Sequence, residues 1–419
     1  MNIDIDMYLD IKKLEDFTMQ KIKVANDLGY SYVKIRLNDE SFIQPSVIAE
    51  IASEINPVQF LDQDQQDLYM KEFMDHLDVS VESPAVEDNN RYLVGTSADA
   101  SSLATTQFDI DDSEGKSNTD LSMIITLGFI AGKAVKDYYE DKQELPKNIQ
   151  ANITMATALP VAEGKGVGTT NKYRDRFMST PHRVVINNFA NPITVTIKFN
   201  QVYVGLEGET AQFYIMNSDQ QLRDSIKQQI DEDYPELSNE ISVEDLIHSP
   251  NVMGIDIGGG TVDISSVMNG RANANASDSM PQGYGNVLVD ALSVLQAENL
   301  KFKNHVALQD FLRSNPSPLK KARYNRVKEI VSDVAKPFIH NIVSNAGHIM
   351  SKSEPDVIFI YGGGASALSD SSLREEMEDK CKRHDSLATI PVIWINEKYA
   401  QLLNEDGLAL IADQLSEEK

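Results

Sequence analysis

The residues with the clearest chemical meaning lie in GIDIGGGTVDISSV, residues 254 to 267. An apolar strand there carries Asp256 into a run of three glycines, residues 258 to 260, which Thr261 follows. Glycines let a backbone approach a ligand closely, so amide N–H groups and the Thr261 hydroxyl can hydrogen-bond phosphate oxygens. Asp256 suits Mg²⁺, which keeps several waters and takes one or two carboxylates beside substrate phosphates. The alternative is a glycine-rich hairpin without a ligand, although aspartates that bracket such a turn between buried strands have little structural reason to be there.

A second strand, glycine turn and strand occurs near the amino terminus, in KVANDLGYSYVKIRL, residues 23 to 37. Asp27 precedes the turn, which contains residues 29 to 31, and Lys34 follows on the returning strand. The Lys34 ammonium could reach the β- and γ-phosphates of a nucleotide as a point charge. Taken alone, the pattern fits an ordinary hairpin equally well.

A third glycine run stands in VIFIYGGGASAL, residues 357 to 368, where a buried strand is followed by small residues that open a helix. Glycines 362 to 364 would let the backbone pass against an adenosine, and the amides at the helix start would face phosphate. Such strand-to-helix turns are common in α/β proteins, so this run gains meaning only from its position after the other two.

The three elements, in this order and spacing, resemble the superfamily of actin, sugar kinases and heat-shock-chaperone ATPases. Each of the two lobes in that superfamily contributes one phosphate hairpin to a nucleotide in the cleft between them. The resemblance covers residues 21 to 410. Four shorter segments are similar to the bacterial actin-like proteins of the ParM type, which segregate plasmids by forming filaments. They are SFIQPSVIAE (41 to 50), RYLVG (91 to 95), ATALPVAEGK (156 to 165) and INEKYAQLLNEDGLALIA (395 to 412).

The resemblance also implies a catalytic carboxylate. The Leu-Pro-Val segment of the family is followed by a glutamate near the γ-phosphate, and Glu163 stands at that place here. A carboxylate so placed can orient the attacking water for in-line transfer. The alternative is that Glu163 is a loop carboxylate. Asn286 and Lys301 lie on or just after the helix that usually flanks the base in this family, and neither is assigned to it.

The resemblance therefore gives two sets of candidate site residues. The candidate catalytic residues are Glu163, Asp256 and Asp27, of which Asp27 and Asp256 would also hold the metal through water. The candidate nucleotide-contacting residues are Gly29, Tyr30, Ser31, Lys34, Gly258, Gly259, Gly260, Thr261, Gly362, Gly363, Gly364 and Ala365.

The elements that must position these residues alternate between strands and helices. Residues 121 to 139 are apolar and free of proline, which predicts a buried helix, whereas residues 149 to 159 alternate as a strand does. Residues 184 to 216, which include AQFYI at 211 to 215, are predicted to form an antiparallel run. A long helix that contains Pro337 is expected to bend there. This alternation predicts α/β layers. With the resemblance, it predicts an actin-like fold of two lobes, each a ribonuclease-H-like mixed sheet flanked by helices.

The same patterns suggest limits for the parts of the chain. Residues 1 to 20 are predicted to be an extension, and residues 21 to 248 a first lobe. That lobe would carry two acidic insertions, at about 57 to 90 and 109 to 120. Residues 249 to 390 would form the second lobe, and residues 391 to 419 a segment that returns to the first.

Composition limits the partners and the location. With 38 basic and 64 acidic residues, the chain has a formal net charge of −26, which disfavours direct, extensive binding to nucleic acid. Neither a signal peptide nor an apolar run of membrane-spanning length is recognisable, so we expect a cytoplasmic protein without membrane contact. The single cysteine, Cys381, cannot form an intrachain disulfide or supply a multi-thiolate zinc site alone.

The function implied by the resemblance is a Mg²⁺-dependent ATPase, or GTPase, that assembles head to tail into filaments. It would move or segregate plasmid DNA through a basic adaptor protein. One alternative is a sugar-kinase-like or phosphatase-like enzyme that does not polymerise, although no convincing acceptor-binding aspartate is visible. A chaperone ATPase fits less well, because no separate peptide-binding β domain is recognisable. A scaffold that binds nucleotide without hydrolysing it remains open if Glu163 is misassigned.

Overall fold

The computed structural model describes residues 18–52, 55–109, 115–164 and 166–417. Most of the predicted extension, residues 1 to 17, and residues 110 to 114 of the second acidic insertion lie outside these ranges. By their internal contacts, the described residues within Met1–Ala158, Gly168–Val204 and Leu408–Lys419 form one compact unit, here called unit 1. Residues Leu159–Val167 and Gly205–Gly407 form unit 2.

The strands, in chain order, are β1 Thr18–Leu28, β2 Tyr32–Leu37, β3 Glu40–Pro45, β4 Val47–Glu50, β5 Asp78–Glu82, β6 Arg91–Val94, β7 Thr105–Gln107, β8 Asn148–Leu159, β9 His182–Ile186, β10 Ile193–Leu206, β11 Asn251–Ile257, β12 Val262–Met268, β13 Arg271–Ala272, β14 Asp278–Met280, β15 Val357–Tyr361 and β16 Val392–Trp394. The helices are α1 Gln63–Lys71, α2 Thr96–Asp99, α3 Asp120–Lys142, α4 Val161–Gly164, α5 Thr169–Met178, α6 Glu209–Met216, α7 Gln220–Asp233, α8 Pro235–Ser238, α9 Val243–Ile247, α10 Tyr284–Ala297, α11 His305–Arg313, α12 Lys321–Ser353, α13 Ala365–Leu368, α14 Leu373–His384, α15 Glu397–Ala400 and α16 Leu403–Glu417. Short 3₁₀ turns occur at Phe73–Asp75, Lys116–Asn118, Ala274–Ala276 and Pro318–Lys320.

Unit 1 is built on a mixed sheet with the strand order β3-β2-β1-β8-β10-β9-β5-β6-β4-β7. Strand β1 is antiparallel to β2 and parallel to β8. The predicted buried helix is confirmed as α3, which packs on β1, β4, β5 and β9. Small residues of β1 and β8 pack with Leu408 and Ala412 of α16, so helices contribute to the core beside this sheet as well. The first hairpin therefore starts from a strand that is buried along its second half.

Unit 2 is built on a smaller sheet with the order β13-β12-β11-β15-β16, and β14 also pairs with β12. Strands β11 and β12 are antiparallel, whereas β11 and β15, and β15 and β16, are parallel. The strand residues divide between two clusters, one with α10, α12 and α14 and the other with α6, α7 and α9. Each unit is thus a mixed sheet with helices, which confirms the predicted α/β class.

The compact units and the predicted lobes divide the chain at different residues. The sequence placed the boundary near Ser249, whereas residues 205 to 248 belong to unit 2 in the structure. Their apolar side chains, among them Ile215, Leu222 and Ile226, pack with Val252 and Phe359 of the second sheet. Helical periodicity identifies an apolar face, but it does not say which sheet will cover that face.

Two local predictions can be compared with the structure. Residues 209 to 216, expected to end an antiparallel run, form α6 instead. Gly208 turns the chain with a φ of +82° before this helix, and Ala211 and Ile215, one helical turn apart, are both buried. The long helix with Pro337 is confirmed as α12, in which the proline lies inside the helix. None of the helices in the described ranges is long and apolar enough to cross a bilayer.

Candidate functional site

The glycine turn of unit 2 is a tight connection between β11 and β12. Asp256 and Asp263 face each other in the antiparallel register, and Gly258 N donates to Thr261 O at 2.9 Å to close the turn. The Thr261 hydroxyl donates to Asp263 Oδ2 at 2.9 Å. Its oxygen retains acceptor capacity, and both carboxylates stand at the base of the turn. The turn is therefore rich in oxygen ligands as well as in glycine.

The third glycine run lies directly against this turn. Gly362 has a φ of +98°, and a Cβ there would overlap with Asp256 Oδ1 and stand 2.5 Å from Ile257 O. Gly364 N donates to Ile257 O at 2.7 Å, and Ala365 then begins α13. Only glycine permits this approach of the β15 end to the β11 end. Two of the three glycine elements thus form one structure within unit 2.

The segment PQGYG, residues 281 to 285, completes the cradle and was not singled out from the sequence. Tyr284 N donates to Gly258 O and Gly285 N donates to Gly259 O, both at 2.9 Å. A Cβ on Gly283 would stand 2.5 Å from Gly259 C. The start of α10 therefore holds the carbonyl side of the turn. The sequence pattern that could have indicated this segment is a tyrosine between two glycines, directly before an apolar helix.

Asp256 also has a side-chain partner that the sequence did not suggest. Asn404 Nδ2 donates to Asp256 Oδ2 at 2.8 Å. Asn404 lies near the start of α16 and is 4% exposed. The two residues are 148 positions apart in the chain, so no local pattern could have paired them.

Negatively charged carboxylates lie around the turn and act on the buried Tyr361. Burial raises the pKa of Tyr361 well above its ordinary value, and the charges of Asp256, Asp263 and Glu207 raise it further. Glu207 is itself buried, and its backbone N donates to Leu159 O at 2.9 Å. Glu207 is a further carboxylate near this site that sequence reasoning missed. A cation would offset the charge that these carboxylates concentrate.

Glu163 belongs to unit 2 and lies on the one-turn helix α4. This helix packs against β14, and β14 pairs with β12 through Met280 and Val262 and through Ser279 and Asp263. The helix that carries Glu163 is therefore one strand away from the beginning of β12, where the glycine turn ends. Its role as the carboxylate that orients water remains a prediction.

The hairpin of unit 1 has the predicted pairing. Asp27 and Lys34 face each other in the β1–β2 register, and Lys34 Nζ lies 2.9 Å from Asp27 Oδ2. Gly29 N donates to Tyr32 O at 3.1 Å, and a Cβ on Gly29 would stand 2.6 Å from that oxygen. Ser31 is exposed at the tip, and its carbonyl accepts from Ser46 N at 3.0 Å. The hairpin thus presents a cation beside a buried carboxylate.

The aromatic side of this hairpin involves residues that the sequence did not indicate. The Tyr30 ring meets Phe108 edge to face with 6.1 Å between centroids, and Lys116 Nζ lies 4.6 Å from the Tyr30 centroid. Lys116 is buried, and its Nζ donates to Leu28 O at 2.7 Å. These contacts accommodate the Tyr30 ring. Lys116 lies in the acidic tract at residues 109 to 120, and nothing in the sequence distinguished it from an exposed charged residue.

A cavity of about 230 Å³ in unit 2 adjoins the third glycine run. Its lining includes Tyr284, Arg313, Tyr324, Lys328, Gly363 and Ser366. Burial raises the pKa of Tyr284 to about 12, so its hydroxyl is a neutral donor near neutral pH. Asn286 and Lys301 lie outside this lining. Asn286 Oδ1 instead accepts from Gly283 N at 2.9 Å, which caps α10.

Comparison with known proteins agrees with this architecture. Residues 25–209 match the family described as actin like proteins N terminal domain. A solved structure of the actin-like protein Alp7A covers 95% of this chain and 98% of its own, with 17% identity and a TM-score of 0.63. Bacillus thuringiensis ParM with ATP covers 96% and 100%, with 16% identity and a TM-score of 0.60. The apo psk41 ParM protein covers 95% and 98%, with 15% identity and a TM-score of 0.54. The chain has the actin-like fold. The predicted resemblance to the ParM-type proteins is confirmed, and no curated protein sequence matches the chain.

The actin-like fold implies a nucleotide and a metal ion, and the residues of unit 2 fit both. Glycines at 258, 283 and 362 let the ends of β11 and β15 and the start of α10 meet, because a Cβ at each would lie within 3.0 Å of other atoms of unit 2. The cavity beside Gly363 adjoins this junction. The described residues hold no group of three or more histidine, cysteine or carboxylate side chains that could bind a metal alone. Asp256 and its neighbours offer only a few oxygen ligands. Such a site suits Mg²⁺, because this ion completes its coordination shell with water and phosphate oxygens. Bound there, Mg²⁺ would neutralise phosphate charge.

Proposed function

We propose that this chain is a Mg²⁺-dependent nucleoside triphosphatase that uses ATP, or GTP, to control its own assembly into filaments. The observation that carries the proposal is the convergence of Asp256, the turn at Gly258 and the run at Gly362 on one cradle in unit 2. A glycine-rich hairpin without a ligand would not need a carboxylate held against a second glycine run. One solved structure of the same fold is Bacillus thuringiensis ParM with ATP, which supports the proposal.

The glycine elements of unit 2 have distinct roles in this proposal. The amides of residues 258 to 260, with Thr261, bind phosphate oxygens, and Asp256 holds the metal through water. The run at 362 to 365 passes along the nucleoside, whose base enters the cavity beside Gly363 and Tyr284. That cavity, about 230 Å³, is smaller than the range of about 300 to 1,000 Å³ that accommodates a drug-sized ligand, so it suits a base.

Catalysis needs a group that orients water, and Glu163 is proposed for that role. Phosphoryl transfer depends on positioning and charge neutralisation more than on covalent chemistry, so one carboxylate beside the reacting phosphate is sufficient. The family resemblance further implies that Asp27 and Lys34 of unit 1 act on nucleotide phosphates. The Lys34 ammonium would supply positive charge to the β- and γ-phosphates.

Hydrolysis is the first test. The purified chain with ATP or GTP should release phosphate only when Mg²⁺ is present. Asp256→Asn should lower turnover by about a hundredfold, the scale of losing one preorganised electrostatic group. Asp290→Asn, on the exposed face of α10 in the same unit, is the matched control and should behave as wild type. Full hydrolysis by Asp256→Asn would show that the hairpin is misassigned.

Assembly is the second test. Light scattering should rise after ATP and Mg²⁺ are added, and electron microscopy should then show filaments. Contacts that do not close on themselves give open filaments, and hydrolysis would loosen them. Nucleotide binding without any rise over a wide range of protein concentrations would favour a non-polymerising enzyme of the same superfamily.

The cargo is proposed to be plasmid DNA, held through a basic adaptor protein. A net charge of −26 repels the phosphate backbone, so the chain alone should not retain DNA at physiological salt. A gel-shift assay with the chain alone should therefore show no complex, and a stable complex would contradict the need for an adaptor.

A further inference from the structure

Asn404 occupies a position in unit 2 that links three elements. Its Nδ2 donates to Asp256 Oδ2 at 2.8 Å at the end of β11. Its Oδ1 accepts from Thr210 Oγ1 at 2.9 Å and from Gly208 N at 3.4 Å at the start of α6. Asn404 and Thr210 are 4% and 0% exposed, so water cannot replace these bonds.

The chemistry of the neighbours fixes the orientation of this amide. The backbone N–H of Gly208 can only donate, and an ionised Asp256 carboxylate can only accept. The oxygen of the side-chain amide must therefore face Gly208 and its nitrogen must face Asp256. The asparagine amide provides the acceptor and the donor on two separate atoms of one planar group, and glutamine is one methylene too long for the same reach.

The approach of the two helices depends on a glycine in α16. A Cβ at Gly407 would overlap with Thr210 O and stand 2.7 Å from Thr210 C. Gly407 lies three positions after Asn404, so the two residues lie on the same face of the helix. This face is thereby brought close enough to α6 for Asn404 to contact Thr210.

The carboxylate of Asp256 is consequently hydrogen-bonded through one oxygen and packed against Gly362 with the other. Oδ2 accepts the Asn404 bond, and Oδ1 lies where a Cβ on Gly362 would be. We propose that Asn404, held by Thr210, is the positioning residue that fixes the Asp256 carboxylate for the metal–nucleotide complex. This inference rests on the proposed function, in which Asp256 holds the metal through water. Groups that orient a metal-binding carboxylate change metal affinity by about 10- to 100-fold when they are removed.

The experiment measures metal affinity directly, with Mn²⁺ as the probe. Free Mn²⁺ is followed by electron paramagnetic resonance in the presence of ADP, for the full chain and its variants. Asn404→Ala should weaken Mn²⁺ binding by about tenfold. Thr210→Val, which keeps the side-chain volume and removes the hydroxyl, should weaken it by about fivefold, the equivalent of one hydrogen bond. Thr210→Ser keeps the hydroxyl and should restore most of the affinity.

Two further measurements separate positioning from a general structural role. Metal-free ADP binding should change less than twofold in every variant, since Asn404 is not proposed to contact the nucleotide. The fluorescence of Trp394, the single tryptophan, should show that unit 2 is folded under the assay conditions. If Asn404→Ala does not fold, the Thr210 pair carries the same test with a smaller perturbation.

The outcomes distinguish this inference from the proposed function. Wild-type affinity for Mn²⁺ in both Asn404→Ala and Thr210→Val would overturn the role of Asn404. Equal losses of Mn²⁺ affinity and of metal-free ADP affinity would also overturn it, because they would indicate a damaged fold. A wild-type chain that binds no Mn²⁺ with ADP would instead contradict the proposed function itself.

Discussion

Gly362→Ala tests whether the close approach of two glycine elements, and not backbone flexibility alone, builds the cradle. Gly362 has a φ of +98°, so an alanine there would adopt a strained left-handed conformation at a cost of about 1–2 kcal/mol. The added Cβ would also overlap with Asp256 Oδ1 and stand 2.5 Å from Ile257 O and 2.7 Å from Ile257 N. The Asp256 side chain can rotate away, whereas the Ile257 backbone belongs to β11 and can move only at a large cost in free energy.

The matched control is Gly270→Ala in the turn between β12 and β13. Gly270 has a φ of +74°, and a Cβ there would meet nothing within 4 Å. This variant should therefore lose only the conformational term, about 1–2 kcal/mol. Overpacking of a filled site adds about 1–3 kcal/mol, so Gly362→Ala should lose about 2–5 kcal/mol in total. The difference between the two variants measures the approach itself.

Urea unfolding followed by Trp394 fluorescence is the assay, because Trp394 belongs to unit 2, as both glycines do. Gly362→Ala should unfold at a lower urea concentration than Gly270→Ala and should also lose Mn²⁺–ADP affinity, since Asp256 is displaced. Gly270→Ala should keep wild-type affinity. Equal stabilities for the two variants, or unchanged Mn²⁺–ADP binding in Gly362→Ala, would refute the reasoning.

Three further predictions concern buried polar groups. Lys116→Met should destabilise unit 1 by about 1–3 kcal/mol, because Leu28 O loses its hydrogen-bond donor. Lys21→Met, at an exposed position of β1, is the control and should change the stability of unit 1 little. Hydrogen exchange in β1 measures both variants, and equal protection of the amides in the two would contradict the role of Lys116. Burial lowers the pKa of His182 below 6.5, so the unfolded chain binds more protons than the folded chain, and the free energy of unfolding should fall as pH falls below 6.5. In thermal unfolding, His182→Gln should lose this pH dependence. If the dependence persists in the variant, the assignment to His182 is refuted. Burial raises the pKa of Glu209 above 4.5, so the ionised carboxylate opposes folding at higher pH. Glu209→Gln should therefore raise the melting temperature at pH 7, and this gain should shrink toward pH 4. A gain in melting temperature that does not depend on pH would exclude this cause.

The candidate site was partly accessible from the sequence. The turn at Gly258 and the hairpin at Gly29 could be predicted because glycine, aspartate and alternating apolar residues follow one another locally. The ion pair between Asp27 and Lys34 was not predicted, and the structure explains it by the hairpin register, in which the two residues face each other. The bond between Asn404 and Asp256 could not be predicted, because a contact across 148 positions has no local periodicity.

The sequence by itself determined the alternation of strands with helices over most of the chain, the three glycine elements and the strongly acidic composition, since each depends on neighbouring residues or on composition. Only the tertiary structure decided that residues 205 to 248 belong to unit 2 and that α6 is a helix. It alone brought Gly362 and Asn404 to Asp256, and Gly283 to Gly259. The physical reason is that an apolar face or a polar side chain specifies the kind of partner it needs, whereas packing of the whole unit selects which residue supplies it.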